Sequence, residues 1–159
     1  MNRKNTVAQC HRQLKVLHQL AGGLEYIHQK KLIHRDVKPF ENVLIWVDSG
    51  QKKSRNEMGR FRLSKPVNER GSHSINGSNR GTDYWYAPEI LSIKIKKEEN
   101  GTDVIAHHRG TVKSDVFVQG LVFGYYFLNG QRLFGSRVLA SANILSNNPV
   151  HLNNKSRWL

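Results

Sequence analysis

Cysteine is almost absent from these 159 residues: Cys10 stands alone, so neither an internal disulfide nor a cysteine-based zinc cage can form. A single thiol fits a reducing compartment, and the cytoplasm is the expected location. Long apolar runs are missing as well. Residues 1–6 are polar and lead into no signal-peptide core, and the most apolar segment, 116–128, is shorter than the ~20 residues that a membrane span needs. No membrane segment is therefore expected, and 116–128 reads as a buried helix in which Gly120 and Gly124 let another helix approach. Acids are scarce too: 12 Asp and Glu face 25 Lys and Arg, a net charge of +13 that attracts phosphate, nucleic acid or acidic protein surfaces. Hydrophobic residues make up only 38%, but three Trp, five Tyr and six Phe exclude a disordered basic tail. The length suits one domain or a large piece of one.

Periodicity organises the chain. In residues 11–30, Leu14, Leu17, Ala21, Leu24 and Ile27 recur three or four apart, which predicts one apolar stripe on a helix ending near Lys30 and Lys31. Residues 43–47 form a β-branched apolar block bounded by Asp48-Ser49-Gly50, a strand entering a turn. Residues 51–60 are polar and basic, and a second strand near 61–63 would close a small hairpin. Residues 68–81, rich in Ser, Asn, Gly and Arg, read as an exposed loop. A short helix is expected over 88–93, a loop over 94–113, and a last helix around 138–145. Asp115 precedes the apolar helix closely enough to satisfy backbone donors at its start. His107-His108 with His11, His18, His28, His73 and His151 match no zinc spacing and read as scattered surface residues.

Chemistry concentrates after the first helix, in His34-Arg35-Asp36-Val37-Lys38-Pro39 with Asn42 just beyond. An aspartate and a lysine two apart on a turn can take a hydroxyl proton and neutralise a transferred phosphoryl oxygen, while an amide oxygen nearby can hold a divalent cation. The run resembles the protein-kinase catalytic loop H-R-D-x-K-P-x-N. Gly81-Thr82 with Ala87-Pro88-Glu89, then Ser114-Asp115-Val116-Phe117 with Gly120, follow in the family's order. Details such as Tyr84-Trp85-Tyr86, Leu133-Phe134-Gly135 and Ala142-Asn143-Ile144-Leu145 are most similar to the branch of inositol-requiring-enzyme kinases and ribonuclease L.

That resemblance covers residues 11–145. It implies an α+β protein-kinase-like fold in which 1–159 is a partial kinase domain, a mainly helical C-terminal lobe with a small β-hairpin. It also implies roles: Asp36 as catalytic base, Lys38 as the phosphate-contacting lysine, Asn42 as a magnesium ligand and Thr82 in the substrate-docking segment. His34, Arg35, Glu89 and Asp115 would be structural, Asp115 tying a helix to the catalytic loop. ATP and magnesium are the implied cofactors, and a protein substrate or kinase-type partner, with a possible dimer, the implied company. Nucleic acid is not the expected partner, since the branch's nuclease module follows the kinase lobe and no nuclease residues can be carried over. Ser72, Ser74 and Ser78, among Arg70 and Arg80 in the activation segment, are either phosphorylation sites that pair with arginine or plain solubilising serines.

Three departures qualify the resemblance. The 33 residues before His34 contain no glycine-rich phosphate loop, no strand lysine and no partner glutamate, so the N-terminal lobe is expected to be missing. Where the family carries D-F-G, the chain reads Arg60-Phe61-Arg62; a cation in place of the carboxylate reverses several kcal/mol of attraction for a metal ~4 Å away at an effective dielectric near 20. The span from Asp36 to Asn42 also holds one residue more than the family spacing, Phe40 or Glu41. The expected function is ATP-dependent phosphorylation of protein Ser or Thr hydroxyls in impaired form, with Asp48 or Glu57 as substitute metal acids. The alternatives are a pseudokinase scaffold and a truncated, non-functional fragment.

Overall fold

The protein is described from a computed structural model, for residues 3–39, 43–48, 53–59, 61–74, 84–100 and 109–152. Helix α1 spans Arg3–Gln29, eight residues further toward the N-terminus than the stripe predicts. Its buried face runs through Leu20, Leu24 and Ile27, with Val16 packed beside them, whereas Leu14 is 54% exposed and Ala21 faces outward. The spacing i, i+4, i+7 is thus kept: Leu24 and Ile27 lie on the expected face, while toward the N-terminus the stripe passes through Leu20 and Val16 rather than Ala21 and Leu14. Gly23 belongs on this face because a Cβ there would meet Met58 Cγ at 3.2 Å. The helix stops at Lys31, which takes φ +58° and closes the last turn with its N–H on the His28 carbonyl at 2.9 Å.

Three antiparallel strand pairs follow. Strand β1, Leu32–Ile33, pairs with β4, Lys65–Pro66. Strand β2, Val43–Asp48, pairs with β3, Lys53–Met58, in a six-residue register from Val43 with Met58 to Asp48 with Lys53. The hairpin is therefore present, but its second strand is the polar run before residue 60, and Phe61–Leu63 is a 3-10 turn instead. Backbone pairing with β2 supplies that strand's stability, so its sequence needs no apolar alternation. Strand β5, Ser72–Ser74, pairs with β6, Arg109–Thr111. This corrects part of the expected exposed loop, because Ser72 and His73 are buried. The remainder, 75–81 with Ser78 and Arg80, lies outside the described residues.

Helix α2 runs Pro88–Asn100, a full turn and more beyond the expected end. Helix α3, Val112–Phe127, is the axis of the fold, with Ser114, Asp115, Val118, Gln119, Leu121 and Val122 buried. One apolar cluster joins α1 and α3 to Met58, Trp85, Tyr86, Leu91, Phe134 and Ile144, the last from helix α4, Ala140–Leu145. Each side chain fully buried there contributes roughly 1.5–3 kcal/mol. Gln119 crosses between helices, its Nε2 donating to the Leu20 carbonyl at 2.8 Å. The two glycines of α3 seat no neighbouring helix among the described residues: none of these lies within 4 Å of a Cβ on Gly120, and one on Gly124 would meet Leu133 at 3.3 Å.

Candidate functional site

The turn after β1 is built by residues far away in the chain. Arg35 sits at φ +69°, a left-handed conformation that a non-glycine side chain adopts only when its surroundings hold it. Asp115, 3% exposed in the first turn of α3, does the holding. Its Oδ2 accepts from the His34 N–H at 2.7 Å and its Oδ1 from the Arg35 N–H at 2.9 Å. Oδ2 also accepts from His28 Nε2 at 3.0 Å, on the last turn of α1. The expectation that Asp115 caps its own helix is corrected: Thr111 is the cap position, and no side chain hydrogen-bonds there. The two backbone donors of the turn take the carboxylate in place of those at the helix start.

His34 is fully buried and fixes the turn on a second side. Its Nδ1 accepts from the Asp36 N–H at 3.3 Å, so Nε2 carries the proton and donates to the Gly59 carbonyl at 2.8 Å. The Phe61 ring tilts against the imidazole at 5.5 Å between centroids. Arg35 reaches the same segment, its Nη1 donating to the Leu63 carbonyl at 3.3 Å. Behind the turn lies a cavity of about 50 Å³ bordered by Arg35, Asp115, His73, Trp85 and Tyr86.

On this frame Asp36 and Lys38 come together, Lys38 Nζ 3.5 Å from Asp36 Oδ2, with side chains 14% exposed for Asp36 and 12% for Lys38. The pair places a proton acceptor and a cation side by side at the edge of the turn, a combination suited to a hydroxyl and an oxyanion meeting there. Glu89 stands one helix away, where its Oε1 accepts from Ser114 Oγ at 2.6 Å and links the starts of α2 and α3. His34, Arg35, Asp36, Lys38 and Asp115 thus form one cluster, with Glu89 joined to it through the neighbour of Asp115. Asn42, Arg60 and Thr82 lie outside the described residues, as do the side chains of Asp48 and Glu57.

Magnesium takes about six oxygens in a near-octahedral array. At the turn the described residues bring the Asp36 carboxylate with an ammonium against it, and among them no group of three or more His, Cys, Asp or Glu side chains is placed for a metal. Among the described residues the turn thus offers the cation one carboxylate, and the residues that the resemblance adds to it lie outside them.

The family model for the protein kinase domain matches residues 1–156. The chain belongs to the protein kinase family. It is 33% identical over 135 residues to the human serine/threonine-protein kinase/endoribonuclease IRE2, an alignment covering 84% of this chain and 13% of that protein. It is 29% identical over 151 residues to the sensor for unfolded proteins in the ER ire1 of Schizosaccharomyces pombe, covering 87% and 14% respectively. The Caenorhabditis elegans serine/threonine-protein kinase/endoribonuclease ire-1 is 33% identical over 135 residues, covering 82% and 12%. The chain therefore spans 12–14% of the length of these relatives. Protein kinases take ATP with magnesium as phosphoryl donor and proteins as acceptors.

Some members of this kinase chain's cluster are not evident from sequence. His28, expected at the surface, is only 17% exposed and faces Asp115. Its position one turn beyond Leu24, on the apolar face of α1, is the signal that could have found it. His73 is also buried, at 6% exposure. Gly59 acts through its carbonyl, which no side-chain pattern announces.

Proposed function

We propose that residues 1–159 are the C-terminal lobe of a serine/threonine protein-kinase domain in which phosphoryl transfer from ATP to protein hydroxyls is impaired. The observation that carries this reading is the His34–Lys38 turn, with its backbone pinned by Asp115 and Asp36 and Lys38 3.5 Å apart. Asp36 takes the proton of the acceptor hydroxyl, and Lys38 neutralises the oxygens of the group being transferred. Asn42 serves as the amide ligand of the family motif, and Thr82 shapes the segment on which the protein substrate docks. The impairment resides at Arg60. Its chain neighbours Gly59 and Phe61 both touch His34, which supports Arg60 as the counterpart of the acid that holds magnesium in the family.

A second reading, a pseudokinase that binds a protein partner or a second kinase domain, is favoured by the same exchange of charge. Among the described residues no helix is long and apolar enough to cross a membrane. The cytoplasm is the working compartment we assign, and the name of the Schizosaccharomyces pombe relative, a sensor for unfolded proteins in the ER, leads us to place such a domain in that kind of sensing. A thermal-shift titration with ATP tests the reading, because a ligand specific to the folded state raises its stability by RT ln(1 + [L]/Kd). The parent chain should shift by less than about 1 °C with or without magnesium, whereas Arg60→Asp should gain a magnesium-dependent shift of about 2–4 °C. A large magnesium-dependent shift in the parent would overturn the proposed impairment.

A further inference from the structure

Between α1 and the second half of α3 lies an open groove of about 700 Å³, far larger than the cavity behind the His34–Lys38 turn. Its floor is apolar: Leu20 and Val122 are buried, Val16 and Phe123 are half-buried, and Tyr126 on the α3 wall is 39% exposed. The α1 wall carries two cations, Arg12 and Lys15, both exposed. Three residues apart on one helix, they hold their Cβ atoms about 5–6 Å from each other on the same side.

The backbone around the groove decides what shape of segment fits it. Both walls are helical, so their backbone hydrogen bonds run within each helix. Where α3 ends, the N–H groups of Leu128, Asn129 and Gly130 donate to the carbonyls of Gly124, Tyr126 and Tyr125 at 2.9, 3.3 and 2.8 Å. Pro39, which also lines the groove, has no N–H to give. An extended segment finds no free backbone donor on these residues and would bury its own carbonyls unpaired. A helix keeps its hydrogen bonds within itself and lays an apolar stripe into such a groove. From Arg12 to Leu20 the wall runs about 12 Å, a little over two turns, which admits apolar side chains at i, i+4 and i+7.

We infer that this groove is the docking site of one acidic amphipathic helix from a partner protein, with leucine-like side chains over Leu20 and Val122 and a flank of Asp or Glu facing Arg12 and Lys15. Charge complementarity sets the choice: among helices with the same stripe, carboxylates on that flank are attracted and lysines repelled, and the net charge of +13 steers acidic partners inward. Docking here uses neither ATP nor the Asp36–Lys38 pair, so it goes beyond the proposed phosphoryl transfer and stands apart from it.

Fluorescence anisotropy on the whole 159-residue chain tests this. The probe is a labelled helical peptide of about 15 residues, with leucines at i, i+4 and i+7 and two glutamates on one flank. Its relatives carry glutamine or lysine in place of the glutamates, residues of similar helix propensity, or alanine in place of the central leucine. At low salt the glutamate peptide should bind about three- to tenfold more tightly than the glutamine peptide, and the lysine peptide most weakly. About 0.5 M salt should close that gap, while the roughly tenfold loss from leucine to alanine persists. Lys15→Glu should reverse the order, favouring the lysine peptide, whereas Lys96→Glu, an equal charge change at an exposed position of α2, should leave it intact. Tyr126→Ala should weaken all three charge versions alike. If Tyr126→Ala does not fold, the reversal at exposed Lys15 decides alone. Equal binding of the glutamate and glutamine peptides, an unchanged order in Lys15→Glu, or no loss from leucine to alanine would overturn the inference. So would a single-stranded RNA of matched charge that binds more tightly than the glutamate peptide. Self-association of the chain that the glutamate peptide cannot displace and Tyr126→Ala abolishes would give the groove to a second copy instead.

Discussion

A carboxylate at 3% exposure that accepts from two backbone N–H groups and one imidazole, as Asp115 does, cannot be removed without leaving those donors buried and unpaired. Asp115→Asn keeps the volume but sets an amide NH₂ where an acceptor oxygen is needed. It should lower the unfolding free energy by about 2–4 kcal/mol in urea titration. His28→Ala removes one of the three donors and leaves the carboxylate its two backbone partners, so a loss of about 1–2 kcal/mol is expected. Asp36→Asn, by contrast, leaves those backbone donors satisfied and removes one charge of a largely buried pair, so a loss of about 1–2 kcal/mol is expected by the same titration. If Asp36→Asn proved as damaging as Asp115→Asn, the assignment of Asp115 as the keystone would fail.

At the scale of the element, the glycines of the two long helices separate into those the fold uses and those it carries. Gly22 and Gly120 lie in helices where an added Cβ would meet none of the described residues within 4 Å, so alanine there should raise stability by about 0.5–1 kcal/mol each through helix propensity, measurable as a higher melting temperature. Gly124→Ala should gain less, since Leu133 waits at 3.3 Å. The elements also differ in how plainly the sequence shows them. Helix α3 and strand β2 carry their own apolar signal, and α1 shows its period, with Leu24 and Ile27 on the expected face and only the earlier part of the stripe displaced. Strand β3 does not show, because Lys53–Met58 owes its conformation to the six-residue register with β2. Asp115 misleads for a related reason: near a helix start its local role is the visible one, while the donors it serves lie about 80 residues away in sequence. The turn at His34 is legible as a motif, but its supports at His28 and Gly59 are not, since each acts through a contact that only the packed chain creates.

For the whole molecule, the same cluster of apolar side chains reaches from Leu20 in α1 through Val118 in α3 to Ile144 in α4. Helix α1 is bolted to α3 by Gln119 on one side and by the Asp115–His28 contact on the other. Such a core should unfold as one unit. Far-UV circular dichroism and the fluorescence of Trp85, with Trp46 and Trp158 replaced by Phe, should report coincident urea transitions; two separated midpoints would show that α1 comes away independently. The arrangement also divides labour among residues. The shape of the Arg35 turn is guarded by an acid on a distant helix, while the two groups proposed to do chemistry are paired with each other beside it. Mutation can therefore erode the reactivity of such a chain, one rim residue at a time, and natural selection acting on the silhouette alone would leave the outline whole.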